Sequence, residues 1–471
     1  MTGLDLTSID TTALAESIRE KKYSATDVMD EMLARVEQWH TSNIFVSTNA
    51  ETSRNSAVNA DRNLKDTQRE KPLAGVPFVV KDNMDCLGWS TTCCTSALNG
   101  FMPTRTAPVV SRLLDAGAIL VGKASLHELA SGVTSFYPDS PERNVLNPIA
   151  PLRMSGGSSS GTAAAIASGL VPFGIGTDTG GSLRIPAACC GVYGFRPSCH
   201  VPSGTVRYNR EGLFPVSPRH DTPGPMARSL RDLVLLDGIL SGEFVSPGGL
   251  KTEPLRIGLP LPFWSGIDPD IADAINTVIT RMKASGHQFV PVPLEGIFEL
   301  NSKISSVINI YDPSWAISSY FSENGTVGPS IDVLCQGIQD AGAKSLFGKT
   351  IDSRIDQQYE DAVFTHGPAM SRLFEDEMMA ENVDCLLYPT IALKPWLIEE
   401  KQPETISLAG RDMSVFEAFI RNTTPVSSAG LPAVTLPIAT TDGVPVGLEL
   451  CGRIGRDSQL LQDAMIVDGF L

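Results

Sequence analysis

The sequence lacks the features of a membrane protein and of a nucleic-acid-binding protein. No stretch approaches the roughly 18 consecutive apolar residues that span a bilayer, and the first ten residues contain neither a basic nor an apolar targeting segment. The 37 basic and 53 acidic residues give a net charge of −16, and no dense run of Lys or Arg is present. Because a phosphate backbone requires clustered positive charge, we expect a cytoplasmic protein with no nucleic-acid partner and no membrane partner.

Metal-binding patterns are also missing. The six histidines lack the H-x-x-x-H spacing, and the nine cysteines form no C-x-x-C pair. Four of the cysteines form two pairs of chain neighbours, at 93–94 and 189–190. Neighbouring cysteines make poor disulfides and poor zinc ligands. We therefore predict reduced thiols in the core, no metal and no cofactor.

The composition is that of a large globular chain with many turns. Of the 471 residues, 42% are apolar and 19% are charged, and there are 41 glycines and 33 prolines. We interpret residues 1–471 as one domain, in which residues 1–65 form N-terminal helices that include a helix start at Ser24 and Asp27. Residues 66–230 form the core, residues 295–380 form a mostly helical lid or side lobe, and residues 381–471 return to the sheet.

From residue 73 onward, short apolar runs alternate with helical patterns, which predicts a layered α/β fold. A helix is predicted to start with Asp268 as its N-cap and Pro269 at its first position, and to end at Gly286. Turn residues at 441–443 between two apolar runs indicate a hairpin, so we predict a mixed sheet. The predicted strands are 76–80, 118–121, 173–177, 255–258, 288–292, 384–388, 433–438 and 444–451.

Two clusters of glycine and serine, at 156–161 and 180–182, suggest a catalytic or anion-binding role because each adjoins a predicted helix or strand. The spacing does not fit the G-x-G-x-x-G turn of dinucleotide sites, and no lysine follows as in a Walker loop. An S-x-x-K hydrolase is excluded, since no lysine has serine three positions before it. The stretch 157–161 does fit the G-x-S-x-G elbow, with Ser159 as nucleophile.

A further interpretation uses a lysine as the base. A serine hydroxyl attacks a carbonyl only after its proton is removed, and a lysine can remove that proton only where burial lowers its pKa toward neutrality. Lys81 directly follows a wholly apolar predicted strand. This position suits such desolvation.

At this point the sequence resembles the amidase signature family. The matching motifs are AGVP at 74–77, VKDN at 80–83, GGSS at 156–159, GTDTGGSLRIP at 176–186, HELA at 127–130 and GLPA at 430–433. The resemblance implies a three-layer α/β/α fold with a large mixed β-sheet flanked by helices. It also implies an amidase that forms an acyl-enzyme.

Carried over by motif, the resemblance makes Ser182 the nucleophile, Ser158 the bridging serine after a cis peptide bond, and Lys81 the base. The oxyanion hole would consist of backbone amides, namely those of Thr179, Gly180, Gly181 and Ser182. Donors of this kind are typically worth a few kcal/mol each in the transition state.

Other residues are given supporting and binding roles by the same resemblance. Asp178 and Arg184 would support the loop of the nucleophile, and Ser131 and Gly132 would line the amide pocket. Four aromatic residues are candidates for the pocket wall or for the core: Phe136, Tyr137, Tyr311 and Trp315.

Within the family, the segments FRP at 195–197, RHDTPGP at 219–225 and YFSENGT at 320–326 look like the indole-3-acetamide hydrolase and mandelamide hydrolase branch. They imply a small arylacetamide substrate that is cleaved to an acid and ammonia, by a chain that could form a homodimer. An aryl carbamate (urethane) or arylamide hydrolase with the same triad is the nearest alternative. A subunit of a tRNA-dependent amidotransferase and a catalytically inactive scaffold are more distant ones.

Overall fold

A large mixed β-sheet organises the chain. The computed structural model describes residues 7–63, 71–137, 139–244, 254–352, 356–399, 403 and 405–471. The predicted boundary between the N-terminal helices and the core, at 65 and 66, lies outside these ranges. The strands of the described residues are β1 Phe45–Thr48, β2 Pro77–Lys81, β3 Ile119–Ala124, β4 Phe173–Asp178, β5 Tyr193–Arg196, β6 Cys199–His200, β7 Thr205–Val206, β8 Thr222–Ala227, β9 Arg256–Pro260, β10 Gln288–Val292, β11 Cys385–Pro389, β12 Thr405–Leu408, β13 Arg411–Ser414, β14 Ala433–Ala439 and β15 Pro445–Cys451.

Eleven of these strands form one sheet across the described residues, in the order β1-β3-β2-β4-β8-β5-β14-β15-β11-β9-β10. The neighbours β3, β2 and β4 run parallel, as do β11, β9 and β10, whereas the central pairs are antiparallel. All eight predicted strands are present within two or three residues of their predicted bounds, and the hairpin between β14 and β15 turns at 440–444. The predicted mixed α/β fold is confirmed.

Helices flank the sheet. They are α1 Thr11–Arg19, α2 Ala25–Gln38, α3 Ala50–Asn63, α4 Pro108–Asp115, α5 Ser160–Ala167, α6 Arg184–Cys190, α7 Leu230–Ser241, α8 Leu261–Trp264, α9 Pro269–Ala284, α10 Ile297–Glu323, α11 Ile331–Gly337, α12 Ala341–Asp352, α13 Gln357–Asp361, a π-helical turn Ala362–His366, α14 Gly367–Ala380, α15 Val415–Ile420, α16 Thr424–Ala429 and α17 Asp457–Asp468. Within the ranges described above, no helix is long and apolar enough to cross a bilayer.

Local sequence signals explain two of the helix starts. The Ser24 hydroxyl accepts the amide of Asp27, and the Asp27 carboxylate accepts the amide of Ser24, so the predicted capping box is confirmed. Asp268 caps α9 by accepting the amide of Asp270, with Pro269 at the first helical position as predicted.

Strand β8 was not predicted, because its sequence TPGPMA contains two prolines and a glycine, which usually mark turns. Along its whole length β8 pairs with β4, but β5 pairs only with Met226 and Ala227. Pro223 and Pro225 therefore have a paired strand on one side only, that of β4. A proline nitrogen, which cannot donate a hydrogen bond, is tolerated where no second strand requires a donor. The short edge strand β1, the strand β5 in the middle of the main sheet, and the strands of the two small sheets, β6, β7, β12 and β13, were also not predicted.

The topology places the functional motifs at one edge of the sheet. Strands β2 and β4 are parallel neighbours, so their carboxyl ends, at Lys81 and Asp178, meet at the same edge. The loop that follows β4 continues into α6, and the turn at 156–159 leads into α5. Both glycine–serine clusters are thereby brought to the end of β2.

Candidate active site

Lys81 is fully buried at the end of β2, a strand in which all five residues are buried. Its Nζ donates to Ser158 Oγ and to Thr177 Oγ1, both at 2.7 Å. Burial lowers the pKa of this amine to about 7, although the carboxylate of Asp178 opposes the shift. A substantial fraction of Lys81 is therefore neutral at pH 7, and the neutral form is able to accept a proton.

Ser158 follows a cis peptide bond between Gly157 and itself, as the resemblance implied. Its side chain is fully buried, and its carbonyl accepts the amide of His127 at 3.1 Å. The Ser158 hydroxyl is therefore fixed beside the Lys81 amine at the start of α5. Of the three predicted catalytic residues, these two contact each other directly.

Ser182 lies at the end of the loop between β4 and α6, with 8% of its surface exposed. The amide of Ser159 donates to the Ser182 carbonyl at 3.0 Å, which ties this loop to the residue that follows Ser158. The Ser159 hydroxyl is itself buried and bonded to the backbone of Thr177, as donor to its carbonyl at 3.2 Å and as acceptor of its amide at 3.3 Å. This position does not favour Ser159 as an exposed elbow nucleophile.

The loop 179–182, which contains the predicted nucleophile, is held by hydrogen bonds from Thr423 and Thr424 and from Asp178. Thr423 Oγ1 and Thr424 Oγ1 donate to the Gly180 carbonyl at 2.7 and 3.0 Å, and the Gly181 amide donates to Asp178 Oδ1 at 2.9 Å. In this conformation the Gly181 amide is thus already engaged. Of the four amides predicted for the oxyanion hole, those of Thr179, Gly180 and Ser182 remain candidate donors to a carbonyl oxygen.

Asp178 lies at the centre of a buried ion-pair network. Its carboxylate accepts Arg184 Nε at 3.0 Å and Arg196 Nη1 at 2.9 Å, and Arg184 Nη1 also donates to Glu449 at 2.6 Å. Burial alone would raise the pKa of Asp178, but the two guanidinium groups hold it well below its usual range. Asp178 and Arg184 are thus placed to support the loop, as their predicted role requires.

We expect Asp178→Asn to lower the free energy of unfolding by about 3–5 kcal/mol, because it leaves two buried guanidinium groups without their shared carboxylate. The native pKa of Asp178 lies below the unfolded value near 4, so its stabilisation is present above that pH and is lost as the pH falls below it. Urea denaturation at pH 7 measures the difference. The matched control is Asp30→Asn, whose exposed pair with Arg54 should contribute less than about 1 kcal/mol. Equal losses for the two variants would contradict the structural role of Asp178.

The position of Gly181 has no room for a side chain. Its φ is +129°, and a Cβ there would lie 2.2 Å from Thr423 Oγ1. We expect Gly181→Ala to destabilise the fold by about 2 kcal/mol and to lower kcat by at least about tenfold, since the loop must shift. The control is Gly204→Ala, where φ is +73° but no atom lies within 4 Å. It should cost about 1 kcal/mol and leave kcat unchanged, as thermal melting and steady-state rates would show.

A cavity of about 1100 Å³ adjoins this region. The two predicted substrate-binding residues, Ser131 and Gly132, line it, as do Phe136 and Tyr137. Tyr311 instead stacks on another tyrosine outside the lining. Lys81, Ser158 and Ser182 are not among the described residues that line the cavity. His127 does line it, and the His127 amide donates to the Ser158 carbonyl at 3.1 Å, so this residue connects the cavity wall to the predicted triad.

The sequence interpretation assigned no role to several residues that contact the site. Thr177 bonds Lys81 and also accepts Asn83 Nδ2 at 3.1 Å. Thr177 lies in the motif at 176–186 and Asn83 in the motif at 80–83. Their positions in these motifs were a signal that could have identified them. Thr423 and Thr424 lie more than 240 residues along the chain from Gly180, and no local pattern indicates their contact.

The fold is that of a hydrolase family. The family model described as Amidase matches residues 27–461, and the chain belongs to the amidase family. It is 32% identical to a mandelamide hydrolase of Pseudomonas putida, over 99% of this chain and 92% of the relative. It is 33% identical to an indoleacetamide hydrolase of Allorhizobium ampelinum, over 97% and 96%.

Solved structures agree with this assignment. A crystal structure of an amidase superposes with a TM-score of 0.84 at 29% identity, covering 98% of this chain and all of the other. The peptide amidase of Stenotrophomonas maltophilia shares the fold with a TM-score of 0.80 at 24% identity, over 98% of this chain and 96% of the other. The protein is an amidase, which hydrolyses carbon–nitrogen bonds other than peptide bonds. The predicted similarity to indole-3-acetamide and mandelamide hydrolases is confirmed.

Proposed function

We propose that the protein is a serine amidohydrolase that cleaves small carboxamides of the arylacetamide type to a carboxylic acid and ammonia. The observation that supports this most strongly is the 2.7 Å contact between the Nζ of buried Lys81, whose pKa is about 7, and Ser158 Oγ. A buried amine with this pKa is suited to serve as a general base at neutral pH.

The reaction starts with a proton relay. Neutral Lys81 accepts the proton of the Ser158 hydroxyl while Ser158 accepts the proton of Ser182, and Ser182 Oγ attacks the amide carbonyl carbon. The negative charge on the carbonyl oxygen is stabilised by the amides of Thr179, Gly180 and Ser182.

Collapse of the tetrahedral intermediate breaks the carbon–nitrogen bond. The leaving nitrogen takes a proton from Ser158, which is reprotonated by the Lys81 ammonium, and ammonia departs. Water then attacks the acyl-enzyme by the same route, with its proton passing through Ser158 to Lys81. When the bond between the acyl carbon and Ser182 Oγ breaks, that proton returns from the Lys81 ammonium through Ser158 to Ser182 Oγ, which releases the free acid and restores the Ser182 hydroxyl.

Three features support an arylacetamide substrate. The relatives named above are hydrolases of mandelamide and indoleacetamide, which are both arylacetamides. The cavity of about 1100 Å³ is comparable to the upper end of small-molecule sites, roughly 300–1,000 Å³. Phe136 and Tyr137 give its wall aromatic surface, and Ser131 gives it a hydroxyl group.

The test is product analysis by mass spectrometry on indole-3-acetamide, mandelamide, an anilide and an aryl carbamate, with wild type and Ser182→Ala. We expect arylacetic acid and ammonia from the two primary amides, in wild type only and without glutamine or a partner protein. Cleavage of the anilide or carbamate alone would overturn the substrate assignment and favour the arylamide or urethane alternative. A requirement for a partner protein and tRNA would favour the amidotransferase.

A further inference from the structure

Asp221 is a buried carboxylate that contacts the loop of the proposed nucleophile at Thr179. It lies just before β8 and is 7% exposed. Its Oδ1 accepts the hydroxyl of Thr179 at 2.5 Å, and its Oδ2 accepts the amides of Val216 and Ser217, both at 2.9 Å. One oxygen therefore anchors Asp221 to its own segment, and the other reaches the first residue of the predicted oxyanion hole.

We propose that Asp221 is a positioning residue for amide hydrolysis, which holds the Thr179 side chain so that the amides of the Thr179–Ser182 loop point toward the substrate carbonyl. This inference rests on the proposed function, since it concerns the same oxyanion hole. Asp221 touches neither the substrate nor the reacting atoms, and it acts through Thr179.

The contacts of the loop show why Thr179 needs its own support. Gly180 is held through its carbonyl by Thr423 and Thr424, and the Gly181 amide is held by Asp178. The side chain of Thr179 is held by Asp221. Three consecutive loop residues are thus fixed by three separate parts of the chain, and Asp221 fixes the first of them.

A donor that is misdirected loses its effect on the transition state. Removal of one oxyanion donor costs about 10²–10³ in kcat in a well-studied serine protease. Loss of the Asp221 contact reorients an amide without deleting it, so we expect a smaller decrease of about 10- to 100-fold. The decrease should fall on kcat, because the oxyanion develops only in the transition state.

Burial, hydrogen-bond donors and a nearby charge together set the pKa of Asp221. Burial raises its pKa to about 6, while the Thr179 hydroxyl, the two backbone amides and Arg210 oppose the shift. The carboxylate in turn raises the pKa of Lys81 and of the Cys199 thiol. At pH 7 most of Asp221 is therefore ionised and able to accept a charge-assisted hydrogen bond from Thr179.

The experiment compares Asp221→Asn, Thr179→Val and their double mutant. Each single variant should lower kcat by about 10- to 100-fold with KM changed by less than about threefold, and the double mutant should be no slower than the slower single variant. Thr179→Ser restores the hydroxyl and should recover most of the loss caused by Thr179→Val. The comparison of Thr179→Val with Thr179→Ser tests the proposal even if Asp221→Asn fails to fold.

Asp232→Asn is the matched structural control. Asp232 is a fully buried carboxylate that also accepts two backbone amides and one threonine hydroxyl, those of Thr11 and Thr12, away from the active site. Its replacement should lower the melting temperature without lowering kcat.

A pH profile supplies a second readout that a purely structural role would not affect. In wild type, log kcat/KM should fall with a slope greater than one just below pH about 6, because Lys81 loses its neutral form there and Asp221 also becomes protonated. In Asp221→Asn the slope should be one, and its midpoint should move to lower pH because the charge that raises the Lys81 pKa is gone.

The outcomes separate this inference from the proposed function. If Ser182→Ala is inactive but the Asp221 and Thr179 variants keep wild-type kcat, or lose no more than Asp232→Asn, the positioning role is wrong and the triad stands. A loss confined to KM, or Thr179→Ser as slow as Thr179→Val, would also overturn it. If Ser182→Ala retains activity, the proposed function itself fails.

Discussion

Ser182→Ala is expected to lower kcat/KM for a primary amide by at least about 10⁴-fold, because it removes the atom that bonds to the carbonyl carbon. The fold should be unaffected, since the contact that ties Ser182 to Ser159 uses the Ser182 carbonyl and not its hydroxyl. Steady-state rates and thermal melting of the same preparation measure both effects.

Ser159→Ala is the control for this prediction. Ser159 is the nucleophile in the alternative elbow interpretation, but its hydroxyl bonds the backbone of β4. We expect the variant to keep its rate within about tenfold of wild type, with some loss of stability from the missing hydrogen bonds. The reverse result, an inactive Ser159→Ala and an active Ser182→Ala, would make Ser159 the nucleophile.

Lys81→Met is expected to lower kcat at pH 7 by about 10³-fold, within the range for loss of a general base. Lys81→Arg should be as slow, because a guanidinium does not release its proton near neutrality. In wild type, kcat/KM should fall as the pH drops below about 7, where the Lys81 amine becomes protonated. A wild-type profile that is flat from pH 8 to pH 5 would exclude Lys81 as the base.

The lowered pKa of Lys81 also predicts how the stability of the fold changes with pH. Unfolded Lys81 keeps its proton to about pH 10, whereas the folded protein releases it near pH 7. Between these values the unfolded state binds more protons, so this residue makes stability rise with pH across that window. Below pH 7 the buried charge is unfavourable, and Lys81→Met should unfold at no lower temperature than wild type. A large decrease in melting temperature would indicate that Lys81 stabilises the fold, and its loss of activity would then need another explanation.

Local patterns predicted much of the architecture. An apolar run ending in a polar residue placed Lys81 at the end of β2, and the capping residues Ser24 and Asp268 marked two helix starts. Periodicity found the strands that are rich in apolar residues. It could not find β8, because the prolines that usually mark turns are tolerated there by one-sided pairing with β4.

The contacts that complete the site were beyond the reach of pattern reasoning. The resemblance supplied the three predicted catalytic residues, but not the partners that hold them. Arg184 meets Glu449 across 265 positions of the chain, and Thr179 meets Asp221 across 42. Such pairs depend on the order of strands in the sheet, which the sequence pattern does not specify.

The central claim, that Ser182 forms an acyl-enzyme after proton transfer toward Lys81, is tested most directly by trapping that intermediate. Turnover of an arylacetamide is quenched with acid within milliseconds, and the protein is digested and mapped by mass spectrometry. The account predicts the mass of the acyl group on the peptide that contains Ser182, and its absence in Ser182→Ala. An acyl group on Ser159 or on another residue, or rapid turnover with no covalent intermediate, would contradict it.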